Sequence, residues 1–242
     1  MKILALDCSA TPASVAILED EKILAFSYTN VKLTHSQTLM PMVENLLKAS
    51  LTDLNDIEGF AISAGPGSFT GVRIGISVIK GLSIAQNKPC VAVSTLLSLA
   101  QNYIENDCYV CAVMDARCNQ VYNAIFEIKN GSITRLCDDR AIMCDQLLKE
   151  IETLSQKGKP IVIVGDGTDV FAPHCVNINN VKKSHPKNRF QNAVGVGITA
   201  LEEFKKGNTL TNEELLPIYL RLPQAERELK NKEKNYDYCI RL

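Results

Sequence analysis

The chain is 242 residues long, 46% hydrophobic and 22% charged, with 26 Lys and Arg against 27 Asp and Glu for a net charge of −1. Such a composition builds a core and excludes the disordered and collagen-like classes, and the even charge names no nucleic acid as a direct partner. The apolar runs fall short of a membrane span, Met1-Lys2 leads straight into an apolar strand rather than a secretory leader, and nine irregularly spaced cysteines read as free thiols of a reducing cytoplasm.

In chain order, Ile3-Leu4-Ala5-Leu6 is a buried strand ended by Asp7. A second strand over 13–18, a charged turn at Glu19-Asp20-Glu21-Lys22 and a third strand over 23–27 complete a meander. A helix is expected over 34–50, with Thr34-His35-Ser36-Gln37 shaped as a capping box and Pro41 placed to kink it. The apolar run 59–64 then leads into Gly65-Pro66-Gly67-Ser68-Phe69-Thr70-Gly71-Val72-Arg73-Ile74-Gly75 and a helix over 72–86. Strand, glycine turn and helix N-terminus in that order can present backbone N–H groups to an anion through Gly65, Gly67, Ser68 and Thr70, or the glycines can serve close packing.

The second half repeats the first. Strands are expected over 110–115, ending at Asp115, then over 120–127 and 132–136 around a Lys129-Asn130-Gly131 turn. A helix over 144–156 and a strand over 160–164 lead to Gly165-Asp166-Gly167. The repeat gives two α/β domains, 1–106 and 107–242, with a hinge near 101–107. Asp7 and Asp115 hold equivalent places, as do the two glycine turns. Asp7 is open between a metal or phosphate-water ligand and a cap for the next turn with Ser9 and Thr11; Asp115 is open between the cleft and an ion pair with Arg117. Gly165 and Gly167 could touch a nucleotide or simply turn the chain.

The helix over 72–86 is apolar all round, with Ser77, Gly81 and Ala85 making a small-residue track at four-residue spacing. It must be covered on nearly every side, by the 34–50 helix, by a partner, or by both. Cys108 and Cys111 fall on opposite faces of a strand and make poor metal partners. Past Leu216, residues 216–221 read as a packed closing segment, and 225–236 as an exposed helix or partly disordered tail.

The duplicated pattern resembles the actin/sugar-kinase/Hsp70 superfamily, in which two ribonuclease-H-like domains face each other across a cleft. Within it, Ile3-Leu4-Ala5-Leu6-Asp7-Cys8-Ser9, His35-Ser36, the segment Gly65 to Gly75, Met114-Asp115-Ala116-Arg117 and Pro217-Ile218-Tyr219-Leu220-Arg221 resemble the TsaB (YeaZ) family. The resemblance implies a non-catalytic subunit of the bacterial machinery that places threonylcarbamoyl on the adenosine next to the anticodon of tRNAs reading codons that begin with A. It implies docking of a TsaD-type catalytic paralogue, a TsaE-type ATPase in the assembly, a homodimer when the chain is alone, and tRNA met only through the complex. Contacts of this kind would fall on Leu39, Val43, Leu46, Val72, Arg73, Ile76, Ser77, Lys80, Gly81 and Ile84 of the two first-domain helices. The chain itself would need no cofactor, ATP or ADP entering only with the assembled complex. The paralogue's His-x-x-x-His metal pair is missing, since no two of His35, His174 and His185 are four apart. The alternative is a stand-alone ATP-dependent phosphotransferase of the same superfamily.

Overall fold

In the computed structural model, which describes residues 1–221, two twisted sheets are built on one plan. The first contains β1 (Lys2–Asp7), β2 (Ala13–Glu19), β3 (Lys22–Thr29), β4 (Gly59–Gly65) and β5 (Cys90–Ser94), in the order β3-β2-β1-β4-β5. β1, β2 and β3 pair antiparallel, and β1, β4 and β5 parallel. The second contains β6 (Cys108–Asp115), β7 (Gln120–Lys129), β8 (Ser132–Arg135), β10 (Ile161–Val164) and β11 (Val181–Lys183), in the matching order β8-β7-β6-β10-β11. A short β9 (Arg140–Met143) pairs with β7 beyond the end of β8. Three antiparallel strands followed by two parallel ones, twice over, is the ribonuclease-H-like arrangement.

The central strands are buried on both faces, which explains their unbroken apolar runs. Leu4 and Leu6 of β1 face one core while Ile3 and Ala5 face another. Leu39, Val43, Val72, Ile76 and Ile79 cover the first face, carried by α1 (His35–Ala49) and α2 (Phe69–Gln86). The opposite face is covered by α6 (Ala193–Lys206) through Val196 and Ala200. In the second sheet, α3 (Thr95–Gln101) lies on one face and α4 (Cys144–Ser155) on the other. α3 and α6 pack together between the sheets. Cys108 and Cys111 do face opposite cores.

Three details differ from the sequence reading. α2 begins at Phe69 rather than Val72, because the Ser68 hydroxyl accepts from the Gly71 N–H (3.3 Å) and caps it there. Thr34 is the N-cap of α1, yet its side chain makes no capping bond. Residues 193–219, which follow the second sheet in sequence, return to the first: Leu210 pairs with Cys90, Leu215 enters the core under α1 and α2, and the Ile218 N–H donates to the Ala64 carbonyl (2.8 Å). The tail reading over 225–236 lies outside the described residues.

The halves are joined at Ser94, whose hydroxyl donates to Asp139 (2.5 Å) while capping α3; Arg135 also pairs with Asp139. Equivalent glycines repeat equivalent geometry. Gly65 and Gly165 have φ of +127° and +108°, a region costly for any residue with a Cβ. A Cβ on Gly65 would overlap the Ile218 carbonyl oxygen, and one on Gly165 the Val113 carbonyl oxygen. The halves differ after that turn. The first launches the 18-residue α2; the second launches only α5 (Thr168–Phe171). No helix among the described residues is long and apolar enough to cross a membrane.

Candidate functional site

A cleft of about 530 Å³ lies where the C-terminal ends of β1, β4, β6 and β10 meet. Its walls include Ser9, Gly67, Ser68 and His35 from the first half and Asp115, Arg117, Tyr122 and Asp166 from the second, with residues 218–221 across one side. The parallel strands deliver these turns to one edge, the usual place for a ligand in such sheets.

Of the expected anion-loop residues, Gly67, Ser68 and Asp115 reach the cleft. Asp7, Gly65, Thr70, Gly165 and Gly167 do not line it. Asp7 is buried behind Ser9, whose N–H (3.0 Å) and hydroxyl (2.8 Å) both donate to Oδ1. That is the turn-capping arrangement, although Oδ2 stays buried without a partner. Burial pushes the Asp7 carboxyl above its usual range, against the opposing pull of the Ser9 donors, Ser63 and His35. Asp115 accepts from the Arg117 N–H (2.7 Å) and guanidinium (3.1 Å), so the local ion pair is formed. The glycine loop spends its donors inside the protein. The Ser68 N–H goes to the Ser9 carbonyl (2.6 Å) and the Gly71 N–H to Ser68, and a Cβ on Gly67 would overlap the Ser9 carbonyl oxygen.

Asp166 is the cleft residue that sequence reasoning passed over as a turn cap. Burial raises its pKa to about 6, Asp115 and Asp7 adding to the rise and Gln191 opposing it; Gln191 donates to Oδ1 at 2.9 Å. His35 places Nε2 at 2.8 Å from the Ala10 carbonyl, so that nitrogen carries the proton, and Nδ1 is buried without a partner. Cys8 is a fully buried thiol that donates to the Gly71 carbonyl (3.1 Å), with its pKa pushed up by burial. It therefore lacks the thiolate character of a nucleophile. No His, Cys, Asp and Glu cluster among the described residues has the makings of a metal site.

The second feature is the outer side of α1 and α2. Ser36, Met40, Arg73, Ile74, Ser77, Val78, Gly81 and Leu82 line a shallow groove of about 500 Å³. Ile84 is 64% exposed beside it, whereas Leu39, Val43, Leu46, Val72 and Ile76 are 0–6% exposed. Those five belong to the chain's own core, and their expected place on a docking surface is corrected accordingly. Arg73, Ser77, Gly81 and Ile84 do face outward, and Lys80 lies half-buried, its amine reaching the Glu213 carbonyl (3.4 Å). A Cβ on Gly81 would meet nothing within 4 Å.

A three-part stack joins groove and cleft. The Arg73 guanidinium lies 3.8 Å over the Phe69 ring, its Nε donates to the Tyr219 hydroxyl (2.6 Å), and the Tyr219 and Phe69 rings stack at 4.8 Å. Arg221 donates from its guanidinium to the Ala116 carbonyl on the far wall. The segment 216–221 is therefore held to both halves, a role its sequence signalled only as a closing element.

Comparison with known proteins adds the following. The family described as "TsaD: tRNA N6-adenosine threonylcarbamoyltransferase" matches residues 29–229. The tRNA threonylcarbamoyladenosine biosynthesis protein TsaB of Escherichia coli is 32% identical over 235 residues, 96% of this chain and all of that protein. TsaB of Bacillus subtilis is 31% identical over 226 residues, 93% of this chain and 96% of its own length. The solved structure of YeaZ from Pseudomonas aeruginosa superposes with a TM-score of 0.78 at 28% identity, covering 90% of this chain and 99% of that one.

Proposed function

The chain belongs to the TsaB (YeaZ) family of tRNA threonylcarbamoyladenosine biosynthesis proteins, and from that premise we propose that it is a scaffold and activator rather than the catalyst. It docks a TsaD-type catalytic subunit on the outer side of α1 and α2. The same face joins two copies when the chain is alone, a TsaE-type ATPase completes the assembly, and tRNA is met only through the complex, in the cytoplasm. Any ATP or ADP belongs to the assembled complex.

The observation that carries this reading is the uncovered groove between α1 and α2. Met40, Ile74, Val78, Leu82 and Ile84 leave apolar surface in water on a rigid helix pair, around the small-residue track Ser77 and Gly81 that admits another helix closely. The phosphotransferase alternative draws less support. It needs free loop donors and a general base, whereas Ser68 and Gly71 N–H groups are already bonded, and Asp7 is tied to Ser9. The test is co-elution with a TsaD-type subunit and reconstitution of the tRNA modification with and without this chain, using Ile84→Glu as the docking variant. Loss of both co-elution and activity with unchanged melting supports the proposal. Full activity from the catalytic subunit alone, or turnover of ATP by this chain alone, refutes it.

A further inference from the structure

Four cysteines gather on one side of the second sheet, away from the cleft and the groove: Cys111 on β6, Cys137 before β9, Cys144 at the start of α4, and Cys175. Their arrangement follows from a gap in the sheet. β8 pairs with residues 126–129 of β7 and β9 with residues 120–123, so Ile125 has no strand opposite its outer edge. Its carbonyl takes the Leu136 N–H (2.8 Å), and its N–H donates to the Cys137 sulfur at 3.2 Å. On its other side Ile125 stands opposite Cys111 in the β6–β7 ladder. The two thiols are thus separated by a single ladder position.

The surroundings of this pair are polar and cationic within an otherwise apolar core. Asn123, fully buried, reaches the Cys111 sulfur (3.5 Å) with its amide and accepts from Arg140 at 3.1 Å. Arg140, bonded to Glu150 at 2.5 Å, lies near enough to both Cys137 and Cys111 for their charges to act on it. Cys137 is half-buried and opens onto a groove of about 410 Å³ whose walls include Leu136, Lys149 and Lys157. Cys111 is closed off behind it. A reachable sulfur receiving an N–H bond beside an arginine is the setting in which thiols react with oxidants.

We propose that Cys137 and Cys111 form a peroxide-reactive dithiol, with Cys137 the sulfur that meets the oxidant and Cys111 the one that resolves it. The Cys137 thiolate attacks one oxygen of hydrogen peroxide. The O–O bond breaks, hydroxide leaves and is protonated to water, and Cys137 becomes a sulfenic acid. The Cys111 sulfur then attacks the Cys137 sulfur. The S–O bond breaks, the second water leaves with the Cys111 proton, and the S–S bond forms. Two thiols supply two electrons, and one peroxide is reduced to two waters. Burial holds the Cys111 thiol well above its ordinary pKa, with the nearby Cys175 and Cys137 adding to the rise. The second step is therefore the slower, and the sulfenic acid lasts long enough to trap.

The experiment treats the full chain with equimolar hydrogen peroxide in the presence of dimedone and maps the products by non-reducing peptide mass spectrometry. Expected are an early dimedone adduct on Cys137, a later Cys111–Cys137 linked peptide about 2 Da below the sum of its thiols, and persistence of the adduct in Cys111→Ser. If that variant does not fold, the wild-type time course decides alone, because adduct before link is the order required. Adducts on Cys118 or Cys239 with Cys137 unmodified, a link between other cysteines, or no oxidation at all overturns the proposal.

Discussion

Asp166→Asn exchanges one carboxylate oxygen for an amide and keeps the Oδ1 that accepts from Gln191 at 2.9 Å. In the folded chain the Asp166 carboxyl titrates at about 6 instead of 3.8, chiefly because it is buried. The native state therefore binds this proton more tightly than the unfolded chain does. Below the unfolded pKa both states are protonated and the shift costs nothing; through the interval up to the folded pKa the cost accumulates, and above it the cost is complete, so stability falls as pH rises. A shift of about 2 units at about 1.4 kcal/mol each sets an upper bound of roughly 3 kcal/mol. The opening of this side chain to the cleft trims that to about 1–2 kcal/mol. The variant should match wild type near pH 4 and exceed it by that amount at pH 7–8, read from urea unfolding at several pH values. A gain that is the same at every pH, or a loss at pH 7, would refute the desolvation argument.

The helix pair and the glycine turns yield further expectations. Gly81→Ala should add about 0.5–1 kcal/mol to stability, because the site is open and mid-helix glycine is unfavourable; Gly81→Arg should melt like wild type yet fail to co-elute with a TsaD-type subunit or to self-associate in sedimentation. Gly165→Ala should lose more than about 2 kcal/mol or fail to fold, given φ of +108° and the Val113 carbonyl in the way; a wild-type thermal midpoint would contradict the turn geometry. Leu39→Ala should cost about 2–5 kcal/mol by chemical denaturation, whereas its neighbour Met40, 37% exposed, should cost less than about 0.5 kcal/mol on truncation to Ala. Similar losses at both positions would mean that the inward and outward sides of α1 are misassigned.

The duplicated plan was legible because its signals are local. A two-face buried strand shows as an unbroken apolar run, and Gly65 and Gly165 mark turns that only glycine makes easily. The orientation of α2 was not legible. An all-round apolar helix carries no sided pattern, so only the contacts of α1 and β4 decide that Val72 and Ile76 face inward while Ile84 faces out. For the same reason half of the expected docking residues were assigned to the wrong side. The raised pKa of Asp166 was hidden too, since its desolvation depends on Gln191 and on strand ends distant in sequence. The reading of Asp7 as a turn cap could be made from its spacing to Ser9 alone, and the two Ser9 donors form that cap.

The return of residues 193–219 to the first sheet bears on the order of events at the ribosome. The last strand of that sheet ends at Ser94, but α6, which covers its second face, begins only at Ala193, and Leu215 enters its other core later still. For roughly 100 residues of synthesis, about 5–20 s at ordinary elongation rates, Ile3, Ala5 and Leu18 have no helix over them. The nascent first half must therefore be shielded or remain loosely formed until the chain is nearly finished. A truncation that stops at the hinge would remove not a second domain but half the cover of the first.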